Sequence, residues 1–453
     1  MIMVTGKTSM KTVVELIRGD TDDKGIVPLT SLDIYEGIYA IGFAFFFRNS
    51  LDEKSLKASL VKTLKEFPVL TGRLRNDKRK GQQYVHCNDH GLRFTVAHSV
   101  MPMADYGPAN HAKDISRRFI DDIVPWKVKN RNYPLATIKL THMQGGGSVL
   151  GVSILHSIAD GESYFHFIDS WARTHRGLPF EPPCHDRMLL ENEMALENYP
   201  RHHRGFRVLS RSGMLRSAVQ FLRSKRSIHS EIIHFTRGEL DNMKKAASRS
   251  DTGETQRIST NDALCGHLWQ VMASLKDKDK DRRRLLFVAN IRKKCHPPLP
   301  EHFFGNASLH MILDLDHETL VRAPLSQVAA ISRKQVNAID QGAINEQMAW
   351  LRHRFRKGEL LRVFADYDPF RDDLFISSDA PYNGYGADFG SGAPFWITIG
   401  TYPVPWSLLF MPDSTRKEGI DVHTHLSGPM MRKFMSPEIQ HALHRHRSEL
   451  INY

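Results

Sequence analysis

The amino-acid sequence predicts an α/β protein with two domains, and three observations support this prediction. The chain has 453 residues, more than one hydrophobic core normally organises. Apolar, β-prone runs alternate with amphipathic helical patterns in both halves. Between the halves lies a basic stretch with no acid from Arg201 to Arg226. We therefore expect an N-terminal domain over 1–180, a basic crossover linker over 181–228 and a C-terminal domain over 229–453.

The pattern of the first half predicts strands around one amphipathic helix. An apolar run over residues 38–47 favours a buried strand. From Asp52 to Phe67, leucines recur every four residues and share one helical face, and Pro68 marks the end of the helix. Segments bounded by turn residues predict further strands over Gln82–His86, Leu92–Val96, Tyr133–His142 and Ser148–Leu155.

The last of these strands ends at His156, and a helix follows almost at once. Asp160-Gly161 is a turn signal, and Glu162–Thr174 repeats apolar residues at helical spacing. Such strand ends face clefts, and histidine is the side chain best matched to proton transfer near neutral pH. His156 is therefore the candidate catalytic residue. The competing interpretation is a structural histidine in the core, beside an Asp160 that caps the helix.

The second half repeats the mixture of strands and helices. Cap residues precede an apolar helical face in Ile258–Gln270 and predict a helix there. Strands are predicted over Ser230–Phe235, Leu285–Ile291, Ser308–Leu315, Asp373–Ser378, Phe395–Thr401, Trp406–Met411 and Gly419–Leu426. Further helices are predicted over Gly238–Ala247, Leu325–Ile339 and from Ser436 to about residue 452.

Composition and charge narrow the function classes. The formal net charge of +12 would suit nucleic acid or an acidic membrane surface. However, the basic residues are spread along the chain, without zinc-finger spacing or an aromatic RNA-binding signature. We therefore expect a solvated basic surface and no nucleic-acid partner. The longest apolar run is about half of what a membrane helix needs, so we expect no membrane span.

The cysteines and the N-terminus indicate the compartment. The four cysteines are widely spaced and form no CxxC pair, which favours reduced thiols. The first residues lack the apolar core of a signal peptide, so we expect a cytoplasmic protein. His423-x-His425 has no third ligand motif, so no metal site is predicted.

Several motifs together resemble the BAHD acyltransferase family, which transfers acyl groups from coenzyme A thioesters to alcohols or amines. His156-x-x-x-Asp160-Gly161 is similar to the family's H-x-x-x-D-G motif. Asp388-Phe389-Gly390-Ser391-Gly392 is similar to its D-F-G-W-G motif. Four further segments keep the family's order along the chain, namely Pro28–Asp33, Leu56–Arg75, Ser259–Trp269 and Ala289–Ala307.

This resemblance implies a fold and a reaction. Two similarly folded domains of the chloramphenicol-acetyltransferase type, each a mixed sheet with packed helices, would enclose a channel with His156 at its centre. Acyl-CoA would enter from one face as a co-substrate, and a small-molecule alcohol or amine from the other. No cofactor would be bound permanently, and we expect a monomer.

The resemblance also implies residue roles. His156 would act as the general base in a ternary complex, with no acyl-enzyme intermediate. Asp160 would point away from the site and pair with Arg292, fixing the turn that presents His156, while Gly161 would permit the tight backbone. Residues of the downstream motif would shape the channel away from the chemistry: Asp388, Gly390 and Gly392.

Two further groups of candidates remain open. Both tryptophans that relatives carry near the oxyanion are absent here, and Ser378 and Ser391 are the candidate oxyanion donors in their place. Ser259 and Thr260 precede a predicted helix and are candidates for a coenzyme A phosphate contact, with a plain helix cap as the alternative. The missing tryptophans also leave a second function class, a catalytically impaired relative that serves as a binding or interaction module.

Overall fold

Two six-stranded mixed sheets with packed helices make up the fold, seen in a computed structural model. The structure describes residues 12–77, 82–108, 115–128, 131–191, 203, 205–224, 227–249, 257–276, 281–399 and 404–448. The predicted architecture of two α/β domains with mixed sheets is confirmed.

Strands and helices are numbered in chain order. The strands are β1 (Thr12–Ile17), β2 (Ile26–Pro28), β3 (Ala40–Phe47), β4 (Arg73–Asp77), β5 (Gln82–His86), β6 (Leu92–Pro102), β7 (Ala136–Gln144), β8 (Ser148–Leu155), β9 (Phe206–Val208), β10 (Ile228–Phe235), β11 (Arg282–Asn290), β12 (Ser308–Asp316), β13 (Val363–Ala365), β14 (Leu374–Ser378), β15 (Trp396–Ile399), β16 (Ser407–Pro412) and β17 (Ile420–Ser427). The helices are α1 (Ser31–Glu36), α2 (Glu53–Leu64), α3 (Pro68–Thr71), α4 (Ile115–Phe119), α5 (Pro125–Val128), α6 (Gly161–His175), α7 (Arg211–Ser224), α8 (Arg237–Ala247), α9 (Thr260–Ser274), α10 (His317–Arg322), α11 (Leu325–Asn337), α12 (Gln341–Arg356), α13 (Gly428–Phe434) and α14 (Pro437–Leu443).

The first sheet has the order β1-β6-β7-β8-β3-β15, with β6 and β7 parallel and the other neighbours antiparallel. Helices α2 and α6 pack against each other. The Asp52 carboxylate caps α2 by accepting from Ser55 N. Trp171 of α6 is fully buried, and its indole N–H donates to Ser59 Oγ of α2 at 3.1 Å. These contacts hold α6 against α2. The buried strand β8 connects to α6 through a turn that begins at His156.

The second sheet has the order β10-β17-β16-β14-β11-β12. β14 runs parallel to both β11 and β16, and the remaining neighbours are antiparallel. Helix α9 carries the longest buried stretch of this half, from Asp262 to Ala273. Two small sheets, β2-β5-β4 and β13-β9, complete the described topology.

The predicted linker over 181–228 is not simply a solvated connector. The Arg187 side chain is completely buried and paired with Asp33. Leu190 and Phe206 belong to the second hydrophobic core, and β9 pairs with β13. Helix α7 keeps the expected solvated character, since none of its side chains is buried. Charge composition could not reveal this packing because the partners lie far away in sequence.

One strand of the predicted C-terminal domain belongs to the sheet of the N-terminal domain. Strand β15 pairs with β3 and forms the edge of the first sheet. Phe389, just before it, packs into the first core. The predicted strand end at Thr401 and the predicted helix end near residue 452 lie outside the described residues. None of the helices in the described ranges is long and apolar enough to cross a membrane.

Candidate active site

His156 lies at the end of β8, where the two halves of the chain meet. Its backbone N–H donates to the Tyr39 carbonyl at 3.0 Å. Its ring and the Tyr39 ring form a T-shaped pair with a centroid distance of 4.7 Å. The residue is only partly buried.

Asn306 fixes the orientation of the imidazole. Its amide Nδ2 donates to the His156 carbonyl at 2.8 Å and to Asp33 Oδ1 at 2.9 Å. Both of those partners are pure acceptors, so the remaining amide atom, Oδ1, must accept. It lies 3.0 Å from His156 Nδ1, which therefore carries the proton in the neutral ring. Nε2 is left with its lone pair, as a general base requires.

Asp33 and Arg187 hold Asn306 and the turn in place. Asp33 accepts from Asn306 N at 3.0 Å and lies 2.8 Å from Arg187 Nη1. Arg187 also donates to the carbonyls of Ser157 and Ile158, at 3.0 and 2.7 Å. The turn that follows His156 is thus tied to α1 through a buried ion pair.

The structure brings Asp160 and Arg292 together as a bidentate pair, with N–O distances of 2.8 and 2.9 Å. The Asp160 carboxylate also caps α6 by accepting from Ser163 N, and it accepts from Ala307 N. Burial alone would raise the pKa of Asp160, but the charge and hydrogen bonds of Arg292 hold it below its usual range. Both carboxylate oxygens are occupied by these donors, so Asp160 supports the turn and does not contact the imidazole.

Glu36 is the acid whose field reaches His156, and the sequence motifs did not indicate it. It is buried, lies 3.0 Å from His310 Nε2 and accepts from the Tyr39 hydroxyl. Burial would raise its pKa, but His310, with His156 and Tyr39, lowers the pKa to about 2. Glu36 therefore remains a carboxylate and places a permanent negative charge beside Tyr39 and His310.

The space around Gly161, and not its backbone conformation, is what favours glycine at this position. Its φ lies outside the left-handed region, so backbone freedom is not what the position needs. A Cβ there would collide with Oδ1 of Asp379, which follows β14. Among the described residues no hydrogen-bond donor reaches the Asp379 carboxylate, and burial beside Asp160 raises its pKa to about 7.

We expect Asp379→Asn to stabilise the protein above neutral pH. The folded chain holds this proton up to about pH 7, whereas an unfolded chain releases it near pH 4. Stability therefore falls as the pH rises through this window, and the amide escapes that loss. Thermal melts should show a higher Tm for the variant at about pH 8 and little difference at about pH 4. The exposed Asp105→Asn is the control; a gain of equal size at both pH values would contradict the assignment.

The candidate oxyanion donors are separated in space. Ser391 O accepts from Asn49, beyond the Phe47 end of β3, whereas the Ala40 end of β3 pairs with Leu155, next to His156. At about 3.3 Å per residue these ends lie roughly 20 Å apart. The prediction that Ser391 serves the oxyanion is therefore wrong.

The direction of the side chains along β14 favours Ser377 over Ser378 as the candidate oxyanion donor. Side chains alternate along a strand, so Ser378 shares a face with Ile376, which packs in the second core. Ser377 shares a face with Phe375, whose cluster includes Ile399 of β15 in the first sheet. Ser377 therefore faces the junction of the two halves, and Ser378 does not.

Asp388 organises the loop that contains Ser391. Its Oδ1 accepts from Gly390 N and Gly392 N, at 2.8 and 3.0 Å. Both glycines have positive φ, 81° and 97°, which a side chain would strain. Phe389 packs on Trp171 near the C-terminal end of α6, so the segment fixes the fold at a distance from His156.

Ser259 lines a cavity of about 230 Å³ at the N-terminus of α9, whereas Thr260, the first residue of that helix, is not among the lining residues. Ser259 forms a capping box with Asp262, which in turn pairs with Arg333. His156 is not among the residues that line this cavity. The serine hydroxyl is therefore already engaged in capping, and Arg333 is the basic group next to it.

One group in the described ranges has metal-ligand chemistry, namely His234, Asp413 and Asp421. Asp413 accepts backbone N–H groups of Thr415, Lys417 and Gly419. Asp421 accepts from His234 at 2.7 Å. These donors occupy the oxygens that a cation would need, so the cluster is explained as support for a loop.

Comparison with known proteins identifies similar chains. The model of the Transferase family matches residues 16–440. A hydroxycinnamoyltransferase of Narcissus pseudonarcissus is 25% identical over 397 residues, which cover 84% of this chain and 86% of that protein.

Two solved structures share the fold. Vinorine synthase superposes with a TM-score of 0.71 at 20% identity, covering 96% of this chain and 98% of that one. F. sporotrichioides TRI101, complexed with coenzyme A and T-2, gives a TM-score of 0.74 at 15% identity, covering 91% and 98%.

Proposed function

Since the chain belongs to the Transferase family, the BAHD acyltransferases that use coenzyme A thioesters, we propose that His156 is the general base of an acyl transfer. The acyl group moves from an acyl-CoA thioester to the hydroxyl or amine of a small-molecule acceptor. The observation that carries this proposal is the Asn306 hydrogen bond to Nδ1, which leaves His156 Nε2 as a proton acceptor.

The reaction needs no covalent enzyme intermediate, because a thioester carbonyl is already electrophilic. The acceptor O–H or N–H gives its proton to His156 Nε2 as the heteroatom bonds to the carbonyl carbon. The tetrahedral intermediate then collapses, the C–S bond breaks, and the imidazolium returns the proton to the coenzyme A thiolate. Glu36 stabilises the imidazolium between these two steps.

We propose Ser377 as the oxyanion donor in place of Ser378 and Ser391. By resemblance to the BAHD family, Ser377-Ser378-Asp379 corresponds to a Ser/Thr-Ser/Thr-Trp stretch, and Ser377 faces the junction of the halves. Its hydroxyl supplies one donor where the family tryptophans are absent.

We propose the cavity at the N-terminus of α9 as part of the coenzyme A site. Ser259 and Thr260 begin the helix, whose N-terminus favours phosphate. Arg333 adds positive charge, although its pairing with Asp262 offsets part of it. We further propose that the enzyme acts as a cytoplasmic monomer.

Removing the Asn306 amide should reduce turnover through His156. In Asn306→Ala, Nδ1 loses its acceptor and the imidazole is free to turn or change tautomer. We expect kcat to fall about 10²-fold with a smaller change in KM, the cost of misplacing a catalytic group. Steady-state kinetics over a pH series measure it, and the exposed Asn337→Ala is the control. An unchanged kcat would remove Asn306 from the positioning role.

A panel of acyl-CoA donors and acceptors tests the function as a whole. Hydroxycinnamoyl-CoA comes first among the donors because the Narcissus relative is named for that group. Alcohols and amines form the acceptor set, and products are read by mass spectrometry together with free thiol release. The alternative, a binding module, is motivated by the missing tryptophans; it predicts donor binding without acceptor-dependent thiol release.

A further inference from the structure

Helix α7 presents its apolar stripe to solvent. Leu215, Val219 and Leu222 are spaced to share one helical face, and they are 69, 37 and 66% exposed. The opposite face, Gly213, Ser217, Gln220 and Ser224, is the partly covered one. Surface helices normally bury their apolar side and expose their polar side. In α7 this arrangement is reversed, because the polar side faces the rest of the protein and the apolar side faces solvent.

Arginines surround the apolar stripe. Arg211, Arg216 and Arg223 are all exposed on α7, and the sequence from Arg201 to Arg226 contains no acid. The stripe therefore sits in a uniformly positive segment that lacks acidic partners of its own. An apolar centre within a basic surface is the composition of a helix that lies in a lipid interface.

The ends of α7 are anchored, so the stripe has a fixed direction. Before it, Leu209 exchanges hydrogen bonds with Arg362, and the Ser210 hydroxyl accepts from Gly213 N at 3.0 Å. After it, the chain enters β10 of the second sheet at Ile228. The helix thus stands as a surface strap whose leucines point away from the body.

We propose that α7 docks this protein on a membrane surface that contains anionic lipids. The leucines insert at the boundary of headgroups and acyl chains, and the arginines pair with lipid phosphate and carboxylate groups. A nucleic acid would use the arginines but leave the apolar stripe exposed, so charge alone does not account for the surface. The inference concerns location and is independent of the proposed acyl transfer.

Vesicle co-sedimentation of the full chain tests this docking. The vesicles are phosphatidylcholine with and without phosphatidylserine. We expect binding only to the anionic vesicles, weakened by salt and reduced at least about 10-fold in the double variant Leu215→Asp/Leu222→Asp. Leu361→Asp is the matched control, since Leu361 is also 66% exposed. Arg211→Gln/Arg216→Gln/Arg223→Gln should lose the preference for anionic lipid.

Three results would overturn the proposal. Wild-type protein could fail to bind either vesicle, or the Leu215/Leu222 variant could bind as well as wild type. Alternatively, size-exclusion chromatography or a DNA retention assay could show that the stripe mediates self-association or nucleic-acid binding in place of lipid binding. Unchanged melting temperatures in the α7 variants exclude misfolding as the cause of lost binding.

Discussion

Replacing His156 with alanine lowers kcat/KM by about 10²–10⁴-fold while the chain still folds, because this is the usual contribution of a positioned general base. The imidazole is the only group in the proposed mechanism that removes the acceptor proton and returns it to the thiolate. Its side chain is partly exposed and makes one hydrogen bond to a side chain, with Asn306. The loss should therefore appear in turnover and scarcely in the melting temperature.

Two comparisons make the His156 result decisive. His441→Ala removes an exposed histidine from α14 and should leave all kinetic parameters unchanged. The pH profile of the wild-type enzyme should show an acidic limb, where activity falls as the general base becomes protonated, and the His156 variant should lack that limb. Full activity in His156→Ala would refute the mechanism, even if acyl transfer itself were established.

The sequence predicted the elements that local pattern determines. The strand limits of β5 and β8 agree with the structure residue for residue, because turn residues bound each apolar run. Helix α12 was missed, although Asp340 caps it and Ile344, Met348 and Leu351 lie buried on it at helical spacing. Strand β1 is an edge strand with exposed apolar residues, and only its pairing with β6 identifies it.

The residues around His156 were harder to predict because their partners are remote. His156 and Arg292 were found by motif, since each stands in a recognisable segment. The buried Arg187 meets Asp33 across more than 150 positions, and nothing near Arg187 in sequence signals it. Glu36 likewise could not be recognised from the sequence, because only the fold brings it next to His310. The local sequence therefore indicated His156 as the candidate base, whereas contacts between remote parts of the chain determine its tautomer and the charges around it.

Ser391 illustrates the opposite error. Because Ser391 replaces the tryptophan of the motif, an oxyanion role was predicted for it. In the structure, its loop is held by Asp388 and two glycines with positive φ, and it lies at the end of β3 that is remote from His156. The position of Ser391 in the motif does not reveal its distance from His156, which becomes clear only from the register of β3 with β8.

Breaking the buried Asp160–Arg292 pair should cost on the order of 3–5 kcal/mol of folding free energy, because one charge is left buried without its partner. In Arg292→Ala the Asp160 carboxylate loses two charged hydrogen bonds and keeps only backbone donors. In Asp160→Asn the guanidinium loses its bidentate partner and keeps only Glu162, whose Oε1 lies 3.5 Å from Arg292 Nε, while the α6 cap is retained in part. Thermal melts should show both variants melting several degrees below wild type.

Acid titration separates this pair from an exposed one. The pKa of Asp160 is depressed in the folded chain, so its contribution is present above its unfolded pKa near 4 and is lost as the pH falls below that value. The Tm gap between wild type and Arg292→Ala should therefore narrow on acidification. Arg237→Ala, which breaks the exposed pair with Asp241, should change the melting temperature little at any pH. If the Asp160 and Arg292 variants melted like wild type yet lost turnover, Asp160 would act on the reaction itself and not through the turn that presents His156.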